Sequence, residues 1–262
     1  MKMNIICITL LTLFLLIAVL AGYRWYVQWR ESKAAAEGFR EIQAMVMEPN
    51  TPKMPEQDAA TEPTQKTAYE TYEGLYKQSP NFLGWIRIDG TAVDYPVMYA
   101  PNQPDFYLRR DFYGSSSRHG VPYLEELCAP GMSNNLIVYG HNMKDGSMFH
   151  DLLNYADKSF WESHQTIRFD TMEEFGTYRV MLVFLYDAEW DEFKYHRYTD
   201  MDEADFEEFL EGCRKRSLYN TDVTAEYGDE LLTLSTCEYS HENGRFVVVA
   251  KRIREGDCGW RR

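Results

Sequence analysis

The chain has 262 residues, 45% of them hydrophobic and 15% aromatic, with a formal net charge of -14 and a pI of about 4.9. That apolar content is enough for a packed core and argues against a disordered chain. The acidic balance repels phosphate backbones, so nucleic acid is excluded as a natural partner. The five cysteines form no CxxC pair and no Cys/His cluster of zinc spacing. No metal or cofactor is expected, and the odd count leaves at least one thiol free.

In chain order, residues 3–22 (MNIICITLLTLFLLIAVLAG) carry no charge. About 20 apolar residues is the length needed to cross a ~30 Å hydrocarbon core. A cleaved signal peptide is the competing reading, with Ala18-Val19-Leu20-Ala21 as its small-residue site. The run is long for that, and Tyr23, Trp25, Tyr26 and Trp29 follow as an interfacial aromatic belt. Residues 1–23 are therefore expected to be an uncleaved anchor, with Cys7 a small hydrophobe inside it. Lys2 precedes the span, whereas Arg24, Arg30 and Lys33 follow it. By itself this distribution would keep the body of the protein on the cytoplasmic side.

Residues 24–67 combine a helix-favouring stretch to about residue 46 with a Pro-, Thr- and Glu-rich spacer, EPNTPKMPEQDAATEPTQKT. The spacer has no hydrophobic period and is expected to act as a stalk. The globular part is placed at residues 68–262. It opens on a short helix in which Tyr69, Tyr72, Leu75 and Tyr76 recur at helical spacing.

Strand signals then dominate. Runs at 83–88 and 93–98 flank the turn dipeptide Asp89-Gly90, and further runs lie at 121–124, 135–139, 166–170, 177–186, 230–236 and 245–253. A helix is expected at 147–155. Another is expected at 201–216, with Asp200 and Glu203 as a capping pair, Arg214 to Arg216 at its C-terminus, and Phe206, Phe209, Leu210 and Cys213 on one stripe. That stripe makes Cys213 a core residue. About eight short strands with few helices argue for a mainly β fold closed into a barrel.

The chemistry concentrates in LLTLSTCEYSHENGRFVVVAKR, residues 231–252. Two β-prone runs flank a polar loop, so antiparallel pairing places Cys237 and Arg245 at one rim, with strands ~5 Å apart. A free thiol with pKa ~8.5 is only a few per cent ionised at neutral pH. A neighbouring cation favours the thiolate and can hold an oxyanion. His141 follows the buried-looking run Leu136-Ile137-Val138-Tyr139, with Gly140 permitting a tight turn, and is the best-placed base. His241, close to Cys237, reads as a solvated loop histidine, and His119, His150 and His164 have weaker settings still.

Thr233-Leu234-Ser235-Thr236-Cys237 followed by Arg245 resembles the TLxTC…R signature of sortases, and Tyr139-Gly140-His141-Asn142 resembles their histidine motif. The serine in TLSTC and the helix before the cysteine strand are most similar to class B. So are Gly84-Trp85-Ile86-Arg87-Ile88 and Asp145-Gly146-Ser147-Met148-Phe149. The likeness covers about residues 69–253. It implies a sortase-type closed eight-stranded barrel with an N-terminal helix and an inserted helix before the cysteine strand. It also implies a membrane-anchored, extracellular cysteine transpeptidase that cleaves a C-terminal sorting motif of secreted proteins. The acyl group passes to an amine, of a cell-wall cross-bridge or a pilin lysine.

In that scheme Cys237 is the nucleophile and His141 the acid/base. Arg245 holds the oxyanion, with the backbone N–H of Glu238 as a candidate helper. Leu108, Tyr139, Tyr195, His196, Ser235 and Glu238 are the implied substrate-binding residues. The Cys-to-Arg spacing is shorter than in some class B members, which implies a differently shaped connecting loop. A papain-like protease or amidase would usually place Cys before His along the chain, the reverse of the order here. A catalytically silent binding barrel would have lost one of the three residues.

Overall fold

A computed structural model describes residues 2–47, 66–239 and 243–254. It falls into two compact units, residues 1–41 and 42–262. The described residues of the first, from Lys2 on, are helical and belong to α1 (Lys2–Met47). The apolar run and the expected juxtamembrane helix are thus one uninterrupted helix. It is the one described helix long and apolar enough to cross a membrane. Most of the expected stalk lies outside the described residues, as do His241 and Cys258.

The second unit begins its barrel domain with α2 (Ala68–Gln78). Thr67 caps it in a reciprocal box, accepting from the Glu70 amide while the Glu70 carboxylate accepts from the Thr67 amide. Eight strands follow: β1 (Phe82–Arg87), β2 (Asp94–Met98), β3 (Tyr123–Leu124), β4 (Asn135–Tyr139), β5 (Thr166–Thr171), β6 (Thr177–Asp187), β7 (Leu231–Cys237) and β8 (Gly244–Ile253). They close in the order β1-β2-β3-β4-β7-β8-β6-β5. The expected closed eight-stranded barrel is the observed fold.

Two elements differ from expectation. The helix expected at 147–155 is a 3-10 segment, His150–Ala156, followed by a short α3 (Lys158–Ser163) capped by Asp157. The inserted helix α4 (Glu203–Arg216) starts later than expected. Its cap is Asp202, which accepts from the Asp205 amide, so Asp200 and Glu203 do not form the capping pair. The expected stripe does turn inward: Phe206, Phe209, Leu210 and Cys213 are buried.

The pairing of β7 positions the site. It lies between β4, parallel to it from Asn135↔Leu231 to Tyr139↔Ser235, and β8, antiparallel to it from Leu231↔Lys251 to Cys237↔Arg245. Parallel neighbours end at the same rim, and an antiparallel neighbour begins there. The end of β4, the end of β7 and the start of β8 therefore meet. Residues 231–236 are buried, and the hydroxyls among them are all bonded. Thr233 Oγ1 donates to Asn135 Oδ1, Thr236 Oγ1 donates to Gly140 O, and Ser235 Oγ pairs with the Tyr195 hydroxyl. Buried polar groups are tolerated in a central strand on that condition.

Candidate active site

At this rim a groove of about 380 Å³ opens, a volume suited to a peptide or small ligand. Of the nine residues singled out from the sequence, eight lie on its wall: Leu108, Tyr139, His141, Tyr195, His196, Ser235, Cys237 and Arg245. Glu238 is not among the lining residues, although it directly follows Cys237.

Cys237 and Arg245 are direct register partners across β7 and β8, as the two β-prone runs suggested. The peptide after Cys237 is occupied at both ends. The Glu238 amide donates to Gly244 O (2.9 Å), and Cys237 O accepts from Asn142 Nδ2 (3.0 Å). This corrects one expectation: with that amide spent on the hairpin, it is not free to serve an oxyanion. The Arg245 guanidinium lines the groove, its one described bond running to Gly244 O (3.2 Å).

His141 leaves β4 through Gly140, whose amide still bonds Ser235 O (3.1 Å). A Cβ at Gly140 would fall 2.6 Å from the buried Phe149 ring, so only glycine lets the chain turn against that side chain. The imidazole Nε2 lies 2.7 Å from Leu108 O. A carbonyl only accepts, so Nε2 carries the hydrogen, and the lone pair of the neutral ring sits on Nδ1. Burial holds the imidazole below its ordinary pKa. The bond to Leu108 opposes that shift, while the charges of Arg109, His119 and Arg245 add to it.

Leu108 belongs to a 3-10 turn, Phe106–Arg109, that the sequence did not announce. The segment behind it includes Gly120 at φ +60, where a Cβ would lie 2.6 Å from Leu108 O and 2.8 Å from Tyr107 O. Glycine there lets the two carbonyls sit where they do. His119, given little weight from sequence, is buried and bonds Asp145 through Nε2 (2.9 Å).

The other groove residues are fixed by aromatic and carboxylate partners. Tyr139 donates to Glu125 (2.6 Å) and Tyr123 to Asp105 (2.6 Å), with the two rings 5.6 Å apart. Tyr195 is buried and packs edge-on to Tyr186 while its hydroxyl meets Ser235 (2.8 Å). Burial raises the pKa of both Tyr139 and Tyr195, so they act here as neutral hydrogen-bonding groups. Burial lowers that of His196, with Glu125 pulling the other way. Asn142, Thr236, Glu125 and Asp105 were not singled out from sequence. Asn142 and Thr236 had a visible signal, their places in the Gly-His-Asn run and in the TLSTC motif.

Comparison with known proteins identifies relatives of the chain. A model of the sortase domain matches residues 86–253. The chain is 30% identical to sortase B of Staphylococcus aureus over 250 residues, covering 92% of this chain and 94% of that protein. It is 32% identical to sortase B of Listeria monocytogenes over 199 residues, covering 75% and 79%. The solved Staphylococcus aureus sortase B–substrate complex superposes with a TM-score of 0.73 at 29% identity, covering 86% of this chain and 99% of that one.

Proposed function

The chain belongs to the sortase family, whose members are cysteine transpeptidases, and from that premise we propose a specific reaction for it. It cleaves a C-terminal sorting motif of secreted proteins through a thioacyl-enzyme and transfers the acyl group to an amine. The observation that carries this reading is the rim itself. Cys237 and Arg245 are paired across two strands, and His141 lines the same groove.

Cys237 gives its thiol proton to His141 Nδ1, and Sγ, now a thiolate, attacks the scissile carbonyl carbon, the C–S bond forming as the carbonyl electrons move to oxygen. The Arg245 guanidinium takes up that negative charge. The intermediate collapses with cleavage of the C–N bond, and the departing amine takes a proton from His141 Nδ1. An incoming amine then attacks the thioester and gives a proton to the same nitrogen. Its new C–N bond replaces the C–S bond and the thiolate is regenerated. Throughout, the Leu108 carbonyl accepts from Nε2–H and stabilises the imidazolium when it forms. Leu108, Tyr139, Tyr195, His196 and Ser235 form the walls on which the motif lies, and Glu238 borders them. The acceptor is an amine of a peptidoglycan cross-bridge or a pilin lysine.

In this reading the apolar part of α1 anchors the protein by a single pass, residues 24–67 act as juxtamembrane helix and stalk, and residues 68–262 act outside the cell. The apolar N-terminal helix, the one such helix among the described residues, and the surface role of the family support it.

The test is intact-mass spectrometry of the full chain in detergent with a panel of sorting-motif peptides and an amine. A thioacyl adduct on Cys237, converted by the amine into a new amide, is expected. Release of the free acid with the amine present would make the protein a hydrolase. Turnover surviving in Cys237→Ala would overturn the assignment of the nucleophile.

A further inference from the structure

Past Tyr139↔Ser235, the main-chain ladder between β4 and β7 makes one more rung, Gly140 N–H to Ser235 O (3.1 Å). There it has to stop, because the chain turns to present His141. Beyond that point the two segments stay stitched by side chains. Thr236 Oγ1 donates to Gly140 O (2.8 Å), Asn142 Nδ2 donates to Cys237 O (3.0 Å), and the Tyr239 hydroxyl donates to Asn142 O (2.8 Å). The Asn142 rung touches the nucleophile's own carbonyl, and it comes from the residue next to His141. Asn142 is only 5% exposed, so its amide is a fixed part of the site and not a surface group.

The orientation of that amide follows from hydrogen-bond chemistry. Cys237 O can only accept, so Nδ2 must face it and Oδ1 must face the other way. Oδ1 lies 2.7 Å from His150 Nδ1. Oδ1 in turn can only accept, so His150 must carry a hydrogen on Nδ1. The neutral Nδ1–H tautomer and the imidazolium both satisfy this, so the link holds whether or not His150 is charged. His150 is itself held by the turn after Ser147, and the neighbouring Phe149 amide bonds His141 O (2.8 Å).

We propose that Asn142, oriented by His150 Nδ1–H, is a positioning residue that clamps the Cys237 carbonyl to the histidine loop and so fixes the distance between nucleophile and acid/base. The clamp closes one side of the peptide whose other side is tied to Gly244. The nucleophile is therefore held between the strand that carries Arg245 and the loop that carries His141. A misplacement of about 1 Å between reacting groups can cost roughly 10²-fold in rate, and this clamp is the means of avoiding it. The inference rests on Cys237 being the nucleophile.

The test uses four variants of the full chain in detergent: Asn142→Ala, Asn142→Asp, His150→Gln and His150→Leu. Each is assayed for single-turnover acylation, for kcat and KM in transpeptidation, and for melting temperature. Asn142→Ala is expected to lower acylation and kcat by roughly 10- to 100-fold with KM little changed. Asn142→Asp is expected to be equally impaired: it keeps the acceptor for His150 but has no N–H for Cys237 O. His150→Gln retains a donor and should stay near the parent rate, whereas His150→Leu should fall between the parent and Asn142→Ala.

Isotope-labelled histidine spectra of the unmutated chain give a readout that does not depend on any variant folding. They should show His150 bearing its proton on Nδ1. An Nε2–H tautomer for His150 would overturn the proposal, and so would an Asn142→Asp protein with parental kcat. A uniform loss of melting temperature with unchanged rates would reduce Asn142 to a structural residue. If the unmutated chain itself forms no adduct on Cys237, the assignment of the nucleophile fails, and the tautomer result still judges the clamp's geometry.

Discussion

Gly120 is not among the groove-lining residues, yet Gly120→Ala should damage catalysis. At φ +60, a Cβ would stand 2.6 Å from Leu108 O and 2.8 Å from Tyr107 O. A carbon–oxygen contact settles near ~3.3 Å, so the Leu108 carbonyl must retreat by about 0.7 Å. Its bond to His141 Nε2 is 2.7 Å long, and a retreat of that size along the bond would carry it beyond ordinary hydrogen-bond range. The left-handed backbone costs alanine about 1 kcal/mol and the overlap about 1–3 kcal/mol more. Against a total stability of ~5–15 kcal/mol the protein remains folded, with a melting point lowered by roughly 5–15 °C. Losing a hydrogen bond to a group that becomes charged costs about 1.5–3 kcal/mol, or roughly 10- to 100-fold in kcat. The assay is transpeptidation of a sorting-motif peptide beside a thermal melt. Gly228→Ala serves as control, because Gly228 also has positive φ (+102) but no atom within 4 Å of its Cβ position. It should lose stability alone. A folded Gly120→Ala protein with kcat within about twofold of the parent would show that the Leu108 carbonyl does not orient His141.

Arg245→Lys keeps a positive charge but loses the planar fork, so acyl transfer should fall by roughly 10- to 100-fold, and Arg245→Ala by roughly 10²- to 10³-fold; parental rates from the lysine variant would reduce the role to charge alone. Cys213→Ala empties space inside α4's buried face and should cost about 1–3 kcal/mol in urea unfolding while leaving kcat unchanged. A folded Cys213→Ala protein without turnover would contradict the choice of Cys237. His141 is held below its unfolded pKa of ~6.5 by burial, so the unfolded chain binds its proton more readily. Its contribution to stability is therefore complete above that value and is lost as pH falls through the folded pKa. Urea titrations at descending pH should show a shallower loss for His141→Gln than for the parent. Equal slopes would mean that the ring is solvated in the folded protein.

The strands were legible because their physics is local. Alternation and β-branched runs mark residues 135–139, 177–187 and 244–253 without reference to anything distant. The boundaries that moved did so for non-local reasons. Of the run 121–124 only Tyr123–Leu124 pairs as strand, because the Val121 amide bonds Tyr107 O behind the 3-10 turn. Asp202 takes the cap of α4 because Asn134 holds the residue before it, through the Met201 amide and carbonyl. Neither partner can be read from the helix's own sequence.

The same division runs through the site. Cys237, His141 and Arg245 stood out because each is a reactive side chain at the end of a strand, and strand ends can be found from pattern. What holds them does not have that signature. The group that orients His141 is a backbone carbonyl 33 positions earlier, and the one that holds the Cys237 carbonyl is an asparagine amide 95 positions away. Carbonyls are the same at every residue, so sequence gives no hint of which one a histidine will meet. His119 and His150 had weaker settings in the sequence than His141, yet His119 is buried against Asp145 and His150 meets Asn142, whose amide bonds the Cys237 carbonyl. A histidine's role depends on which atoms face its two nitrogens. Acceptor-only neighbours on His141 and on Asn142 determine where the protons sit, and those protons decide which nitrogen can do chemistry.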